Sequence, residues 1–159
     1  MDFDWRDRIV RRKRYEETSE SRFITFSCDG RRELLASDWA RDIVAEQLSI
    51  SREQFGFALY AWVVMPNHVH PLLTPDLQIA SMPRILNSIK SRSSAKILAR
   101  YRQDAPEAAP VRLWLAGGGY DRNIRSDEEF SEKLEYIELN PVRAGLAKTR
   151  EEYRWCSVG

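Results

Sequence analysis

Hydrophobic and polar positions alternate along residues 22–28, and this period of two predicts a β-strand. Residues 57–64 are apolar on both sides and rich in aromatic and β-branched side chains, which predicts a buried central strand. Pro66 and Asn67 then provide the chemistry of a tight turn, and residues 68–74 form the next strand. We therefore expect a β-hairpin in the middle of the chain.

Helical patterns lie on both sides of this hairpin. Residues 38–48 place apolar side chains on one face behind a capping position, and residues 81–102 form a longer helix whose apolar face is diluted by serines. A capping box at residues 126–129 opens a third helix. Because proline cannot continue a helix, Pro141 is expected to end it near Asn140.

A short predicted strand at residues 111–115 and a flexible glycine stretch at residues 117–119 separate the last two helices. The order strand, helix, hairpin, helix, strand, helix favours an α+β fold, in which an antiparallel sheet is flanked by helices in a split β-α-β arrangement. We expect a polar lead-in over residues 1–20 and a single domain over residues 21–159.

Composition excludes several classes of protein. The chain has 159 residues, of which 43% are apolar and 31% charged, and these values argue against disorder. The longest apolar run, residues 57–65, is too short to span a bilayer, and residues 1–14 do not form a signal peptide. Cys28 and Cys156 provide neither a disulfide framework nor a metal knuckle. We expect a cytoplasmic protein with no membrane partner.

The net charge of +1 conceals an uneven distribution. Twenty of the 25 basic residues are arginine, which binds phosphate through paired hydrogen bonds. Residues 6–14 and 76–104 are basic, whereas residues 126–140 contain six acids and one lysine. Considered alone, this pattern is typical of an ordinary solvated surface.

The chain contains two histidines, His68 and His70. Residues two apart in a strand point to the same face, so both imidazoles project side by side. Two neutral imidazoles in this arrangement can hold a divalent metal. Two ordinary histidines on a half-exposed strand are the simpler interpretation of so short a motif.

Tyr136 and Asn140 lie four residues apart and share a face of the third predicted helix. That face flanks the core stripe formed by Phe130, Leu134 and Ile137. Without further information, a boundary tyrosine and a helix-ending asparagine are the simpler interpretation.

Two long segments together resemble a known family. Residues 60–70, Tyr-Ala-Trp-Val-Val-Met-Pro-Asn-His-Val-His, resemble the His-hydrophobic-His strand of the HUH single-tyrosine transposases, in the form of their REP-associated (IS200-like) branch. Residues 136–146 resemble the tyrosine helix of that branch and the turn after it. Residues 119–125 and 153–157 match lesser blocks, so the resemblance covers nearly the whole predicted domain.

The resemblance implies a ferredoxin-like sheet with flanking helices, as well as an activity. The implied enzyme is a transposase and single-strand endonuclease that cleaves and rejoins single-stranded DNA through a 5′-phosphotyrosine intermediate. Tyr136 would be the nucleophile, His68 and His70 would bind Mg²⁺ or Mn²⁺, and Asn140 would be a third polar ligand. The implied partner is single-stranded DNA, in hairpin-forming repeats, acted on by a monomer or a homodimer.

In such an enzyme the arginine-rich segments would track the DNA backbone, and seven basic side chains are candidates for these contacts. They are Arg84, Lys90, Arg92, Lys96, Arg122, Arg125 and Arg143.

Besides the acidic helix at residues 126–140, which would repel phosphate unless its charges face away or approach the metal, two features depart from the pattern of the family. Pro71 follows His70 where an apolar residue with an amide hydrogen is usual, and we expect it at an edge or a bulge. Residues 115–119 are apolar and glycine-rich where the family commonly has a glutamine. Both features concern the positioning of the substrate.

Two other functions are compatible with the same residues. An inactive relative would bind nucleic-acid hairpins without cleaving them, and its histidines would be dispensable. A different metal-dependent phosphoesterase would use the histidines but employ water as the nucleophile, releasing a free 5′-phosphate.

Overall fold

The computed structural model describes residues 20–117 and 119–158, so most of the predicted lead-in over residues 1–20 lies outside the described residues. Its elements are β1 (Arg22–Ser27), α1 (Asp38–Phe55), β2 (Ala58–Val64), β3 (His68–Thr74), α2 (Met82–Asp104), β4 (Tyr120–Asn123) and α3 (Asp127–Arg143). Single-turn 3₁₀ helices occur at Asp29–Arg31, Pro106–Ala108 and Arg150–Glu152. None of the helices in this described part combines the length and apolar character that crossing a bilayer requires.

The strands form one sheet in the order β2-β3-β1-β4, and each neighbouring pair is antiparallel. The first and third strands along the chain therefore lie in the middle of the sheet. This order, with helices after the first and third strands, confirms the predicted α+β ferredoxin-like fold.

The two faces of the sheet carry different helices. Helices α1 and α2 pack against each other, and Ile24 and Phe26 of β1 face α2. Helix α3 packs against β2 and β3 on the opposite face, where the ring of Tyr60 contacts the ring of Phe130 edge to face. The alternation of β1 thus serves two cores, one under each helical layer.

The prediction that residues 57–64 form a central strand is wrong, because β2 lies at one edge of the sheet. Its free edge is covered by the C-terminal segment instead. The amide of Val64 donates to the carbonyl of Trp155 at 2.8 Å, and the amide of Ser157 donates to the carbonyl of Trp62 at 2.9 Å. This extra pairing explains why an edge strand is apolar on both sides.

Arg41 of α1 anchors that segment. Its guanidinium lies 3.7 Å from the ring centroid of Trp155 and donates to Asp38 Oδ1 at 2.8 Å and to the hydroxyl of Tyr153 at 3.3 Å. The side chain is buried together with Trp155 and Tyr153, so these two contacts are made away from bulk water, whereas Asp38 is exposed.

We expect Arg41→Ala to lower the free energy of unfolding by about 2–4 kcal/mol, because it removes a buried cation–π contact and charged hydrogen bonds. Urea denaturation followed by tryptophan fluorescence measures the change. Arg102→Ala, at an exposed position of α2, is the control and should stay within about 0.5 kcal/mol of the unmodified protein. Equal stability of the two variants would refute the anchoring role.

Helix α3 continues past Pro141 to Arg143, so the predicted end near Asn140 is wrong. Proline lacks the amide hydrogen that would bond to the carbonyl of Ile137, four residues earlier. The thiol of Cys156 lies 3.9 Å from that carbonyl and faces it. The C-terminal segment therefore occupies the position that the missing helical hydrogen bond leaves open.

Helix α1 is also longer than predicted. It continues seven residues past the expected end at Leu48 and stops at Gly56, whose left-handed conformation (φ 67°) caps it. Ser49 and Ser51 of this extension are buried, so polar residues occupy core positions there and hide the helical pattern.

The predicted strand at residues 111–115 is wrong, since only an isolated bridge between Trp114 and Cys28 forms there. The fourth strand is β4, which pairs with β1 after the glycine stretch. Gly119 explains this placement: a Cβ at this position would collide with the backbone carbonyl of Thr25. Glycine allows the chain to approach β1 closely enough to start the pairing.

Pro71 lies in the inner strand β3, so the predicted edge position is wrong. It pairs in register with Trp62 of β2. On the other side, the register pairs of β3 with β1 stop at Leu72 and resume at Val69, leaving a gap at His70 and Pro71. The ladder irregularity lies instead in β2, between Leu59 and Ala61.

Candidate active site

His68 and His70 project from β3 onto the sheet face that carries α3. Their ring centroids are 4.6 Å apart, with the ring planes at 73°. His70 is 5% exposed, whereas His68 is half-buried. The alternation of a strand therefore places the two imidazoles together, as the spacing predicted.

His70 is held by residues of β1, the neighbouring strand. Its Nδ1 lies 2.8 Å from the hydroxyl oxygen of Thr25, and its ring stacks on Phe23 at a centroid distance of 5.3 Å. Its Nε2 is buried and has no hydrogen-bond partner among the described residues. A buried ring nitrogen without a partner is costly unless a ligand uses its lone pair.

His68 shows the same division between its ring nitrogens. Its Nδ1 lies 2.6 Å from the side-chain oxygen of Asn67, so Nδ1–H donates and Nε2 keeps its lone pair. When Nδ1–H of His70 likewise donates to Thr25, both Nε2 atoms become acceptors. An oxygen partner behind each imidazole is the arrangement that orients metal-binding histidines.

These donors fit a divalent metal held in part by the protein. Within residues 20–117 and 119–158, no group of three or more His, Cys, Asp and Glu side chains is close enough to form a complete cage. The two histidines would therefore leave positions for a neutral side chain, water or a phosphate oxygen. Such an open site suits a catalytic metal better than a structural one.

Burial keeps both imidazoles neutral. It lowers the pKa of His68 and, together with repulsion from a protonated His68 and from Lys133, lowers the pKa of His70 to about 3. Neutral imidazole is the form that binds a metal, so no proton has to be displaced near neutral pH.

We expect the metal-free protein to lose stability on acidification between pH 7 and pH 5. The unfolded chain protonates His70 near pH 6.5 while the folded state does not, so stability is greatest above that value and falls below it. The cost of His70 alone is up to about 2 kcal/mol at pH 5. Urea denaturation with a metal chelator at each pH measures it, and His70→Gln should flatten the dependence. An unchanged slope in this variant would contradict the explanation.

Tyr136 comes from α3, which Ser126 caps by accepting from the amide of Glu129 at 3.0 Å. The buried side chains of Phe130 and Ile137 hold this helix on the sheet. The ring of Tyr136 lies 5.5 Å from the ring of His70, within the same chain. Because it is 38% exposed, it remains accessible to a large substrate.

Two cations flank Tyr136. Lys133 Nζ lies 6.0 Å and the guanidinium of Arg143 5.8 Å from the tyrosine ring centroid. Lys133 Nζ also lies 4.7 Å from the ring centroid of Phe23, so it sits above the aromatic floor of the site. Positive charge here offsets the acidic side chains of α3 and favours an incoming phosphate.

Asn140 lies one helical turn beyond Tyr136 and is 8% exposed. Its backbone carbonyl accepts from the amide of Ala144 at 3.0 Å. Its role as a third ligand remains a prediction.

The structure separates the predicted DNA-binding cations into two groups. Arg84, Lys90, Arg92 and Lys96 belong to α2, on the face opposite the histidines, whereas Arg122, Arg125 and Arg143 lie in or beside β4 and α3. In the first group, Lys96 pairs with Glu46 of α1 at 3.1 Å and the guanidinium of Arg84 lies over the ring of Phe55. Lys96 and Arg84 are therefore engaged by side chains of α1.

The acidic helix is partly neutralised by arginines. Glu129 pairs with Arg122 and also accepts from the amide of Arg125 at 3.0 Å, while Glu138 pairs with Arg150 at 2.5 Å. Arg122 is therefore engaged by a carboxylate, and Arg143 is the one of its group that lies beside Tyr136.

Sequence reasoning did not identify three residues of the site: Phe23, Thr25 and Lys133. The alternation of β1 placed Phe23 and Thr25 on a common face. What it could not show was that β1 lies next to β3, which brings both residues against His70.

Comparison with known proteins identifies the family to which the chain belongs. The family model described as "Transposase IS200 like" matches residues 21–140, about three quarters of the chain. No curated protein matches the sequence.

Two solved structures share the fold. A REP-associated tyrosine transposase bound to a REP hairpin aligns with a TM-score of 0.67 and 19% identity, covering 93% of this chain and 82% of that one. A crystal structure described as a candidate transposase from Deinococcus radiodurans R1 aligns with a TM-score of 0.56 and 21% identity, covering 81% of this chain and 96% of that one. By the family match over most of its length, the chain belongs to the IS200-like transposases.

Proposed function

We propose that this protein cleaves and rejoins single-stranded DNA, with Tyr136 as the nucleophile. The observation that carries the proposal is the 5.5 Å separation of the Tyr136 and His70 rings within one chain. A tyrosine, two metal-competent imidazoles and two cations thus meet on one accessible surface. Since one chain contributes all of them, we propose that a monomer forms a complete site.

The proposed reaction is an attack by the phenol oxygen of Tyr136 on a backbone phosphorus. The P–O3′ bond breaks, the phenol proton passes to solvent, and the leaving oxygen takes up a proton to become a free 3′-OH. The 5′ phosphate stays attached to Tyr136. Because the phosphodiester becomes another phosphodiester, a 3′-OH can reverse the step without an external energy source.

His68 and His70 would hold Mg²⁺ or Mn²⁺ through their Nε2 atoms, with Asn140 as a further ligand. When bound, the metal supplies Lewis-acid polarisation of the scissile phosphate. Both imidazoles are neutral, so the positive charge of the ion is left available for the phosphate. Lys133 and Arg143 attract the DNA backbone to the tyrosine by their charge.

The DNA is proposed to be a hairpin-forming repeat with single-stranded flanks. The similar structure that contains a REP hairpin supports this as the first substrate to test. Recognition of a duplex stem with an unpaired flank needs backbone contacts and stacking, both of which arginine-rich surfaces provide.

Incubation of the protein with end-labelled hairpin oligonucleotides and Mn²⁺ tests the proposal. We expect a covalent adduct that resists denaturing electrophoresis. A label at the 3′ end of the oligonucleotide should stay with the protein, because the fragment that carries the 5′ phosphate remains attached to Tyr136. Cleavage that leaves a free 5′-phosphate would show that water is the nucleophile. Hairpin binding without cleavage in any divalent metal would indicate an inactive relative.

A further inference from the structure

The face of the sheet opposite the histidines contains a pocket of ≈ 850 Å³ between α2 and residues 111–117 and 119–121, which we call the α2 pocket. Phe26 and Trp114 line its inner wall, with their rings edge to face at 4.8 Å, and Leu86 and Leu98 line the helix side. The pocket is thus an aromatic and aliphatic cleft large enough to take a nucleotide-sized ligand.

Exposed apolar side chains gather at the mouth of this pocket. Val111 is 87%, Leu115 42% and Tyr120 51% exposed, and all three line it. They are three of the seven large apolar side chains exposed in the described part of the chain. A cluster of this kind, unlike scattered single residues, marks a surface that binds something.

The serines that interrupt the apolar face of α2 line the pocket or bond to its aromatic wall. Ser91 and Ser94 line the pocket, and Ser93 accepts from Trp114 Nε1 at 3.1 Å. The indole is also held by the carbonyl of Lys90, again at 3.1 Å. These hydrogen bonds fix the plane of the indole, so the aromatic wall is preorganised.

The charge around the α2 pocket is positive. Lys90 and Arg112 line it, and no described carboxylate forms an ion pair with either. The one acid that lines it, Asp121, is paired with Arg22 at 3.1 Å. Lys90 is half-buried, and that burial lowers the pKa of its amine. A partly desolvated cation beside an apolar cleft favours an anion attached to an apolar group.

A second cavity, of ≈ 210 Å³, adjoins the α2 pocket and shares Lys90 and Tyr120 with it. Thr25 and Ser27 of β1 also line this cavity. The hydroxyl oxygen of Thr25 lies 2.8 Å from Nδ1 of His70, and Ser27 pairs in register with His68, which belongs to β3 like His70. The second cavity therefore extends from the α2 pocket to β1, the strand that holds His70 in the candidate active site.

We propose that the α2 pocket binds an unpaired nucleobase of the DNA substrate, with Lys90 and Arg112 contacting the phosphates on either side of it. The identity of the ligand rests on the proposed function. A nucleotide uses both features of the pocket, because its base packs against the exposed ring of Tyr120 and the apolar side chains at the mouth, and its phosphates meet the cations. The pocket would hold the single strand at a defined distance from Tyr136 and so select which phosphate is cleaved.

Equilibrium binding without metal tests this pocket separately from cleavage. The probe is a fluorescein-labelled hairpin oligonucleotide with single-stranded flanks of mixed sequence, followed by anisotropy. We expect Leu115→Asp and Lys90→Gln each to weaken binding about tenfold, the loss of roughly one stacked base or one phosphate contact. Leu77→Asp and Lys148→Gln, exposed positions outside the pocket, are the matched controls and should change binding less than twofold.

Replacing each flank nucleotide in turn by an abasic one locates the base. We expect one flank position at which loss of the base weakens binding to the unmodified protein about tenfold, with no further loss in Leu115→Asp. Any of three results would overturn the proposal that the pocket binds a base. The abasic penalty could persist undiminished in Leu115→Asp, the pocket variants could bind like the controls, or the unmodified protein could fail to bind the oligonucleotide. If an adduct forms but Leu115→Asp shows the same abasic penalties as the unmodified protein, only the base-binding role of the pocket is rejected. If the penalties depend on the pocket but no adduct forms, only the proposed cleavage is rejected.

Discussion

Tyr136→Phe is expected to abolish the covalent protein–DNA adduct and to reduce strand cleavage at least about 10³-fold, the scale seen when a catalytic nucleophile is removed. Phenylalanine keeps the ring, so the edge-to-face contacts with Phe23 and His70 remain possible. The free energy of unfolding should change by less than about 0.5 kcal/mol, since the ring is partly exposed. Denaturing electrophoresis of end-labelled DNA and urea denaturation measure the two effects.

Tyr101→Phe is the matched control for this experiment. It also removes one hydroxyl, but that hydroxyl belongs to α2, on the face of the sheet opposite the histidines, and donates to the carbonyl of Leu34 at 2.8 Å. We expect a stability loss of about 1 kcal/mol and unchanged cleavage. Cleavage by Tyr136→Phe at the normal rate with free 5′-phosphate ends would transfer the nucleophile's role to water.

His68→Ala is expected to reduce Mn²⁺ affinity at least about 100-fold and cleavage by a similar factor, because one of two protein imidazoles is lost. A residue that binds the metal directly contributes more to metal affinity than an outer-shell partner, whose loss lowers the affinity about 10–100-fold. His68 is half-buried, so the variant should fold, which makes it a better test than the buried His70. Isothermal titration calorimetry of the DNA-free protein measures the metal affinity.

Asn67→Ala serves as the intermediate variant, since it removes the oxygen 2.6 Å behind His68 Nδ1 but no imidazole. We expect an affinity loss of about tenfold. Tyr136→Phe should bind Mn²⁺ normally, which separates the metal site from the nucleophile. Normal Mn²⁺ binding and cleavage by His68→Ala would remove the metal assignment altogether.

Short-range patterns predicted several elements correctly. The alternation at β1, the turn between β2 and β3, and the capping serines of α2 and α3 all appear where their local chemistry placed them. The spacing of His68 and His70 also predicted their common face. These features depend on backbone geometry over a few residues, so the sequence carries them directly.

Predictions that depended on distant partners were the ones that failed. Residues 57–64 are apolar on both sides because the segment around Trp155 covers them, about a hundred residues later in the chain, and not because the strand is central. Helix α3 continues past Pro141, and Cys156 faces the carbonyl of Ile137 that the proline leaves without a helical partner. Neither compensation can be detected from the residues beside the proline or the strand.

The sequence by itself determined the α+β class, the paired imidazoles and the tyrosine helix, because each follows from a local period or cap. Only the tertiary structure decided that β1 lies beside β3, that Thr25 and Phe23 hold His70, and that Tyr136 lies 5.5 Å from it. It also placed Lys90 on the opposite face, beside an aromatic cleft. Contacts between distant residues depend on which surfaces the whole chain can bury together, and no local pattern encodes that choice.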